Sequence, residues 1–319
     1  MLVAKRAKKV VWKGIFPAIC CPLKDDYSVD EEAFRKYLNW LAEIPGLGGL
    51  VVNGHASEVT TFSREERDQI TKICVEAVGD RIPIICGVNC EGTLEATRHA
   101  KDAVESGASA VMIQPSHMWL RSGVSKETCV QYIRDFAESV PETDVAVQLY
   151  NKNCKAFYSI PALVEIAQIP NVKVMKLGIR DPATTEAAIR AVRKANPELS
   201  LFTCYDEALI SSMKMDVDGA LVGVGGSIPE LVVESWQAVC DNDLEHIRDC
   251  ERRMAIVCDA LYGIADISGE AHARSKELLH QRGGIPSGLA RRPVLPLSQK
   301  EIEQINQAML DAKLPQIEL

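Results

Sequence analysis

The chain has 319 residues, enough for one large α/β barrel or for two smaller domains. Hydrophobic residues make up 47% of the chain and charged residues 25%, proportions typical of an ordinary globular protein that works in water. The formal net charge of −8 argues against nucleic acid or an anionic membrane as the main partner. No run of apolar residues is long enough to span a bilayer, so we predict no membrane association.

The N-terminal stretch and the cysteines favour a cytoplasmic location. The basic segment Lys5–Lys9 is not followed by a long apolar run, so it is interpreted as a solvated tail and not as a secretory signal. The 11 cysteines include no C-x-x-C pair, a pattern typical of reduced thiols in a cytoplasm. Histidines, cysteines and carboxylates do not have the spacing of a zinc site, and we therefore predict no metal.

Eight short apolar segments with strand character alternate with amphipathic helical patterns along the chain. This alternation, without a change in composition, predicts a closed (β/α)8 TIM barrel. An open, doubly wound sheet is the alternative, but no G-x-G-x-x-G motif follows the first strand. The predicted strands cover residues 14–19, 49–53, 83–87, 110–114, 145–150, 172–176, 200–203 and 219–224.

Helix signals define the ends of several elements and a helical C-terminal region. Serine and glutamate have the spacing of a capping box at Ser28 with Glu31, Ser63 with Glu66, and Ser298 with Glu301. After residue 229 no strand is predicted, and helices are predicted over 243–265, over 271–281 and from Ser298 onward. We therefore predict an N-terminal tail (1–13), a barrel domain (14–242) and a C-terminal helical extension (243–319).

Lys176 and Tyr150 are the first candidates for catalysis, because each ends a predicted strand. They are 26 residues apart (176 − 150), about the length of one β-α-β unit, so a barrel places both at the same face. A desolvated lysine amine attacks carbonyl carbons to form an imine, and a neighbouring phenol carries protons in that reaction. The alternatives are a lysine that extends into solvent and a tyrosine that only packs.

The loops after the second and fourth strands carry the other polar candidates. Gly54–Glu58 offers backbone N–H groups and the Ser57 hydroxyl to a carboxylate; a plain turn into a helix is the alternative. A barrel would bring His55 and His117 to the same face, where either is a candidate proton carrier or substrate contact. Lone histidines more often pack or face solvent. Trp119 is either a substrate-facing aromatic residue or an anchor for its loop.

Taken in order, these motifs resemble the dihydrodipicolinate synthase/N-acetylneuraminate lyase family. The resemblance rests on G-x-x-x-E at Gly54–Glu58, on Y-N at Tyr150 and on Lys176, and it covers nearly the whole chain. It implies a class I aldolase that forms a Schiff base with pyruvate or another 2-oxo acid. It further implies that no cofactor is needed and that the protein is a homo-oligomer, usually a tetramer.

The resemblance also assigns individual positions. Lys176 corresponds to the Schiff-base lysine and Tyr150 to the catalytic tyrosine. The carboxylate-binding motif contains His55, Ala56 and Ser57, and the strand-eight segment that lines the keto-acid pocket contains Leu221 and Val222.

Some positions depart from the pattern of the synthase. His55 and His117 stand where the synthase has a relay threonine and tyrosine, and Lys155 stands where it has an arginine for a second carboxylate. Met118-Trp119 and Lys176-Leu177-Gly178 look more like the hydratase-aldolase branch, which cleaves aryl-substituted unsaturated 2-oxo acids to an aldehyde and pyruvate. The alternatives are a synthase that condenses pyruvate with aspartate semialdehyde, a dehydratase of 2-keto-3-deoxy sugar acids, and a barrel that binds a metabolite without catalysis.

Overall fold

The computed structural model describes residues 10–263 and 270–319. The basic segment of residues 5–9 lies outside this part of the chain. The same is true of residues 264 and 265, the last two residues of the helix predicted over 243–265. Within the described residues, eight parallel strands form one sheet that is surrounded by helices. This arrangement confirms the predicted (β/α)8 barrel with helices at its C-terminus. No helix in the described ranges is long and apolar enough to cross a membrane.

Every predicted strand is present, and the boundaries differ from the prediction by at most two residues. Because all eight strands run in the same direction, their C-terminal ends meet at one face of the barrel. The strands are β1 (Gly14–Pro17), β2 (Leu50–Val52), β3 (Ile84–Val88), β4 (Ala110–Ile113), β5 (Asp144–Gln148), β6 (Val172–Leu177), β7 (Ser200–Thr203) and β8 (Gly219–Val222).

Contacts between β1 and β2 close the sheet into a barrel. β1 pairs with β8 on one side. On its other side, Ile15 bridges to Leu47 and Ala18 bridges to Val51, both in parallel orientation. The Ile19 N–H also donates to the Val51 carbonyl at 3.0 Å. The described strands therefore form a closed sheet without a free edge.

In the described chain, helices alternate with the strands and surround the barrel, and the last four helices follow the final strand. They are α1 (Glu31–Glu43), α2 (Arg64–Val78), α3 (Thr93–Glu105), α4 (Met118–Ser122), α5 (Lys126–Glu138), α6 (Ile160–Ile166), α7 (Pro182–Ala195), α8 (Leu209–Met213), α9 (Pro229–Cys240), α10 (Leu244–Tyr262), α11 (Ala271–Gln281) and α12 (Gln299–Asp311).

Two of the three predicted capping boxes are present, at Ser63 and Ser298. The prediction at Ser28 is wrong, because Asp30 caps α1 and accepts the Ala33 N–H at 3.1 Å. A carboxylate directly before the helix satisfies the free N–H groups there, and it also complements the positive end of the helix dipole. The Ser28 hydroxyl bonds within the preceding turn.

Apolar side chains fill the barrel and close its N-terminal end. The rings of Phe16 and Phe202 stack in the interior with centroids 4.9 Å apart. Below them Trp12 is buried, and its Nε1–H donates to Asp144 Oδ2 at 2.7 Å, at the start of β5. With this end closed by packing, the C-terminal ends of the strands are the open end of the barrel.

The C-terminal helices pack around one side of the barrel and over its open end. α10 packs against α9 and α12, while α11 lies on the turns that follow β2 and β8. These turns are at the C-terminal ends of their strands. The extension therefore forms part of the wall around the open end of the barrel.

Candidate active site

A cavity of about 560 Å³ opens at the C-terminal ends of the strands. Strand ends and the loops that follow them supply one part of its lining, and the C-terminal extension supplies another. The polar and ionisable side chains around it include His55, Glu58, Gln148, Tyr150, Asn151, Lys176, Arg180, Asp206, Tyr262, His272 and Ser275. The cavity lies at the end of the barrel where the strand-end residues Lys176 and Tyr150 are predicted to meet.

Lys176 extends into this cavity from β6. It is half-buried and lies directly opposite Gln148 in the pairing of β5 with β6. Its Nζ donates to Gln148 Oε1 at 3.4 Å. Just beyond the lysine, a Cβ on Gly178 would lie 1.9 Å from the Leu149 carbonyl oxygen, so only glycine permits this approach of the two strand ends. The lysine amine thus stands at the floor of an open cavity.

Tyr150 and His55 stand beside the lysine, and Gln148 joins them to it. Tyr150 lies two residues beyond the end of β5, and its hydroxyl is 3.2 Å from His55 Nε2. The other ring nitrogen, Nδ1, is 3.4 Å from Gln148 Nε2. Four side chains therefore form one connected series in the order Lys176, Gln148, His55 and Tyr150.

The protein around His55 and Tyr150 shifts the pKa of both side chains. His55 is exposed to the cavity but enclosed by protein on its other sides. Desolvation, together with the charge of Lys176 and the nearby ring of His117, lowers its pKa below the ordinary value of 6.5. Its ring is therefore neutral at pH 7. Burial raises the pKa of Tyr150 above its ordinary value of 10, so the phenol keeps its proton.

Buried polar bonds hold the loop that carries His55. The residues at its two ends, Asn53 (φ 53°) and Glu58 (φ 60°), both have the left-handed backbone conformation that favours glycine. Asn53 Nδ2 donates to Thr71 Oγ1 at 3.0 Å. Glu58 Oε1 accepts from Lys276 Nζ at 2.8 Å, and its Oε2 accepts from the Arg291 N–H at 2.6 Å. Strain of this kind persists only where the surroundings impose it, and here it fixes the position of the loop.

The model of the dihydrodipicolinate synthetase family matches residues 11–312. The chain belongs to this family. It is 26% identical over 307 residues to a 4-hydroxy-tetrahydrodipicolinate synthase of Rhodopseudomonas palustris, covering 95% of this chain and 97% of that protein. Membership makes the protein an enzyme, a lyase of the class I aldolase type, as the sequence predicts.

Solved structures of the same family agree with the fold. The dihydrodipicolinate synthase of Acinetobacter baumannii, solved with pyruvate, superimposes with a TM-score of 0.83 at 25% identity and covers 95% of this chain and 100% of that one. YagE of Escherichia coli K12, a protein of the dihydrodipicolinic acid synthase family also solved with pyruvate, has a TM-score of 0.86 at 20% identity, with 95% and 99% coverage.

The loop Gly54–Glu58 contributes unequally to the cavity. Gly54, His55, Ala56 and Glu58 line it, whereas Ser57 does not. The Ser57 hydroxyl is buried and donates to the Ile19 carbonyl at 2.6 Å, and this hydrogen bond holds the loop against the chain that follows β1. The backbone N–H groups at the start of this turn are the ones that a helical turn leaves without internal partners.

The structure brings His117 close to His55 but not into the cavity lining. The two rings are nearly parallel, with centroids 6.2 Å apart. His117 Nε2 is 3.1 Å from Asn89 Nδ2 and accepts from it, because an amide nitrogen only donates. Trp119, in the same loop, is buried against Tyr132 and Tyr158 in edge-on contacts, so it anchors the loop.

Three further candidates lie away from the cavity lining. Lys155 is exposed, and its Nζ donates to the Arg121 carbonyl at 3.1 Å. Leu221 packs in the barrel interior, whereas Val222 packs in the layer between the strands and the outer helices. The alternation of side chains along β8 explains why these neighbours face opposite ways.

Several residues that line the cavity were missed by sequence reasoning. Gln148 had a usable signal: it lies two residues before Tyr150, and a strand directs alternate residues to the same face. Asp206 is buried, accepts the Val224 N–H at 2.8 Å, and has a pKa that desolvation raises. Tyr262 and His272 reach the cavity from the extension, and no local pattern in the sequence indicates this.

Among the described residues, one group has the donor atoms for a metal ion, Glu234, His246 and Cys250. It lies on α9 and α10, and none of its members lines the cavity. Glu234 already pairs with His246 at 2.7 Å and with Arg253 at 2.9 Å. The sequence's expectation that catalysis needs no metal stays a prediction.

Proposed function

We propose that the protein is a Schiff-base lyase of the hydratase-aldolase type, which cleaves a 2-oxo acid to pyruvate and an aldehyde. The observation that carries this proposal is the connected series Lys176, Gln148, His55 and Tyr150 in one cavity. The series combines the Lys176 amine, which can attack a carbonyl, with the Tyr150 phenol, which can move protons and is hydrogen-bonded to His55. Imine formation needs both kinds of group.

The first stage forms the imine. The unprotonated amine of Lys176 attacks C2 of the keto acid, and the proton it loses passes to the carbonyl oxygen, giving a carbinolamine. Tyr150 then donates its proton to the departing hydroxyl, so water leaves and the C=N bond forms. The products are an iminium cation and a phenolate, and their opposite charges balance within the cavity.

The second stage breaks the carbon–carbon bond. The Tyr150 phenolate takes the proton of the C4 hydroxyl, the C3–C4 electron pair moves into the iminium, and an aldehyde leaves an enamine behind. Reprotonation of C3 by the phenol and addition of water to the iminium return the lysine amine and release pyruvate. For an unsaturated substrate, addition of water must first supply the C4 hydroxyl. The iminium is the electron sink, so the reaction requires no cofactor.

The turn at the start of the 54–58 loop is the proposed site for the substrate carboxylate. The N–H groups of His55 and Ala56 are at its free end, and Ala56 lines the cavity. Ser57 contributes by holding the turn in place. We place no second carboxylate at Lys155, because its amine bonds outside the cavity.

Borohydride trapping tests the proposal. The protein is incubated with pyruvate and with longer 2-oxo acids, reduced, digested and analysed by mass spectrometry. The expected result is a reduced adduct on Lys176 and on no other lysine. No adduct with any of these acids would contradict the proposed function.

A substrate panel separates the proposed reaction from its alternatives. Release of pyruvate from benzylidenepyruvate-type acids supports the hydratase-aldolase. Consumption of aspartate semialdehyde with pyruvate would indicate the synthase, and loss of water from 2-keto-3-deoxy sugar acids without pyruvate release would indicate the dehydratase. The homo-oligomeric state and the cytoplasmic location stay predictions of the sequence.

Tyr150→Phe is expected to lower kcat by about 10²- to 10⁴-fold, the usual contribution of a positioned acid–base group. Only one hydroxyl is lost, so the melting temperature should change little. Tyr158→Phe is the matched control, since its buried hydroxyl has no hydrogen-bond partner among the described residues. Steady-state kinetics measure both variants, and normal turnover by Tyr150→Phe would show that its proposed role is wrong.

A further inference from the structure

Gln148 lies between the lysine and the histidine of the proposed site and bonds to both. The residue is 6% exposed, and its amide has Oε1 facing the Lys176 amine and Nε2 facing Nδ1 of the His55 ring. A glutamine at the end of an apolar strand is costly to bury unless its amide is hydrogen-bonded. This amide is bonded at both ends to members of the proposed site.

The donor and acceptor properties of these groups leave one consistent arrangement. An amide oxygen only accepts, and Gln148 Oε1 lies 3.4 Å from Lys176 Nζ, which donates to it. The amide nitrogen then faces His55, and because it only donates, Nδ1 of the ring must accept. A neutral imidazole that accepts at Nδ1 carries its proton on Nε2. The Nε2–H therefore donates to the Tyr150 oxygen 3.2 Å away.

We infer that Gln148 is a positioning residue that holds His55 in its Nε2–H tautomer, so that the Tyr150 hydroxyl directs its own proton into the cavity. The inference deepens the proposed function and rests on it. With His55 as donor, the phenol oxygen already accepts one hydrogen bond, and its proton is left for the carbinolamine. The same Nε2–H then stabilises the phenolate that forms when this proton leaves.

The opposite tautomer would work against the reaction. With the proton on Nδ1, the ring would accept from Tyr150 at Nε2, and the phenol proton would point at His55 and away from the substrate. Protonation of His55 brings an N–H against the Gln148 amide N–H and places a positive charge beside the Lys176 amine. The titratable groups that face the ring are Lys176, His117, His272 and Tyr150.

Histidine NMR on the free protein tests the tautomer without any substrate. Protein labelled with ¹⁵N-histidine is studied by two-bond ¹H–¹⁵N correlation, and the His55 signals are assigned by their loss in His55→Asn. Wild-type protein should show the proton on Nε2, and Gln148→Leu should show a mixture of tautomers. A proton on Nδ1 in wild-type protein overturns the inference, whatever the variants do. The spectrum is independent of imine trapping, so the two proposals fail separately.

Kinetics provide a readout that a purely structural role would not change. Gln148→Leu should lower kcat by on the order of 10²-fold. The acid limb of its kcat–pH profile should move to higher pH by about one unit, because the amide no longer opposes protonation of the His55 ring. Gln148→Glu should move this limb further, since a carboxylate favours a proton on Nδ1. The matched control is Gln168→Leu, at an exposed position after α6, and its profile should equal that of wild type. An unchanged acid limb in both Gln148 variants would overturn the inference.

Discussion

Lys176→Ala is expected to abolish turnover, with kcat lower by on the order of 10⁴-fold or more, because no other lysine of the described residues lines the cavity. Borohydride trapping with pyruvate should disappear with it. The fold should survive, since the lysine is half-buried and its amine makes one long hydrogen bond of 3.4 Å. Progress curves of pyruvate release and a mass spectrum of the reduced protein provide the measurement.

The matched control for this variant is Lys173→Ala. Lys173 lies on the same strand, three residues earlier, but it is exposed and its Nζ bonds the Pro170 carbonyl at 2.7 Å. Its removal should leave both trapping and turnover at the wild-type level. Residual trapping on another lysine in Lys176→Ala, with turnover preserved, would contradict the assignment of Lys176 as the nucleophile.

Lys276→Met is expected to be the most destabilising of the substitutions considered, at a cost of roughly 3–5 kcal/mol. The side chains of Lys276 and Glu58 are both fully buried, and their charged atoms are 2.8 Å apart. Removing the lysine leaves a buried carboxylate whose Oε2 accepts from the Arg291 N–H at 2.6 Å and lies 4.0 Å from His272 Nε2, while Oε1 loses the ammonium group. Urea unfolding monitored by circular dichroism measures the loss.

Two further variants show whether the buried charge is the cause. Lys276→Met combined with Glu58→Gln removes both charges and should recover a large part of the stability, since an unpaired neutral group costs less than an unpaired ion. Lys214→Met breaks an exposed ion pair with Glu251 at 3.4 Å and should cost about 1 kcal/mol or less. If Lys276→Met is no less stable than Lys214→Met, the buried ion pair does not contribute more to the free energy of unfolding than the exposed one.

Activity should respond to the same buried pair, because Glu58 ends the loop that carries His55. The double variant Lys276→Met/Glu58→Gln lacks the ion pair that holds the 54–58 loop. If the loop shifts in this variant, the protein should stay folded but lose turnover. This contrast separates the contribution of the pair to stability from its contribution to the geometry of the site.

Much of the fold and part of the site follow from local pattern. Each predicted strand is present because apolar runs bounded by turn residues repeat along the chain, and the β-α-β spacing requires parallel strands. Parallel strands in a closed barrel end at one face, so strand-end residues such as Lys176, Tyr150 and His55 come together without further information. The prediction at Ser28 fails because the spacing of a capping box cannot tell which of two nearby side-chain oxygens accepts the first N–H groups of the helix.

The remaining features depend on packing between distant segments. Leu221 and Val222 are adjacent in sequence but belong to different layers, and which layer each joins depends on the direction in which the strand enters the barrel. His272 lines the cavity only because α11 lies across the open end.

The sequence by itself determined the barrel and the strand ends that carry the lysine and the tyrosine, whereas the class of chemistry was implied by the resemblance of its ordered motifs to a family. The barrel and the strand ends depend on periodicity and on spacings of one β-α-β unit, which are local properties. Only the tertiary structure decided that Gln148 joins Lys176 to His55 and that Lys276 holds Glu58 across 218 residues of chain. The physical reason is that hydrogen bonds and ion pairs act over about 3 Å, and no sequence period reports which distant atoms come that close.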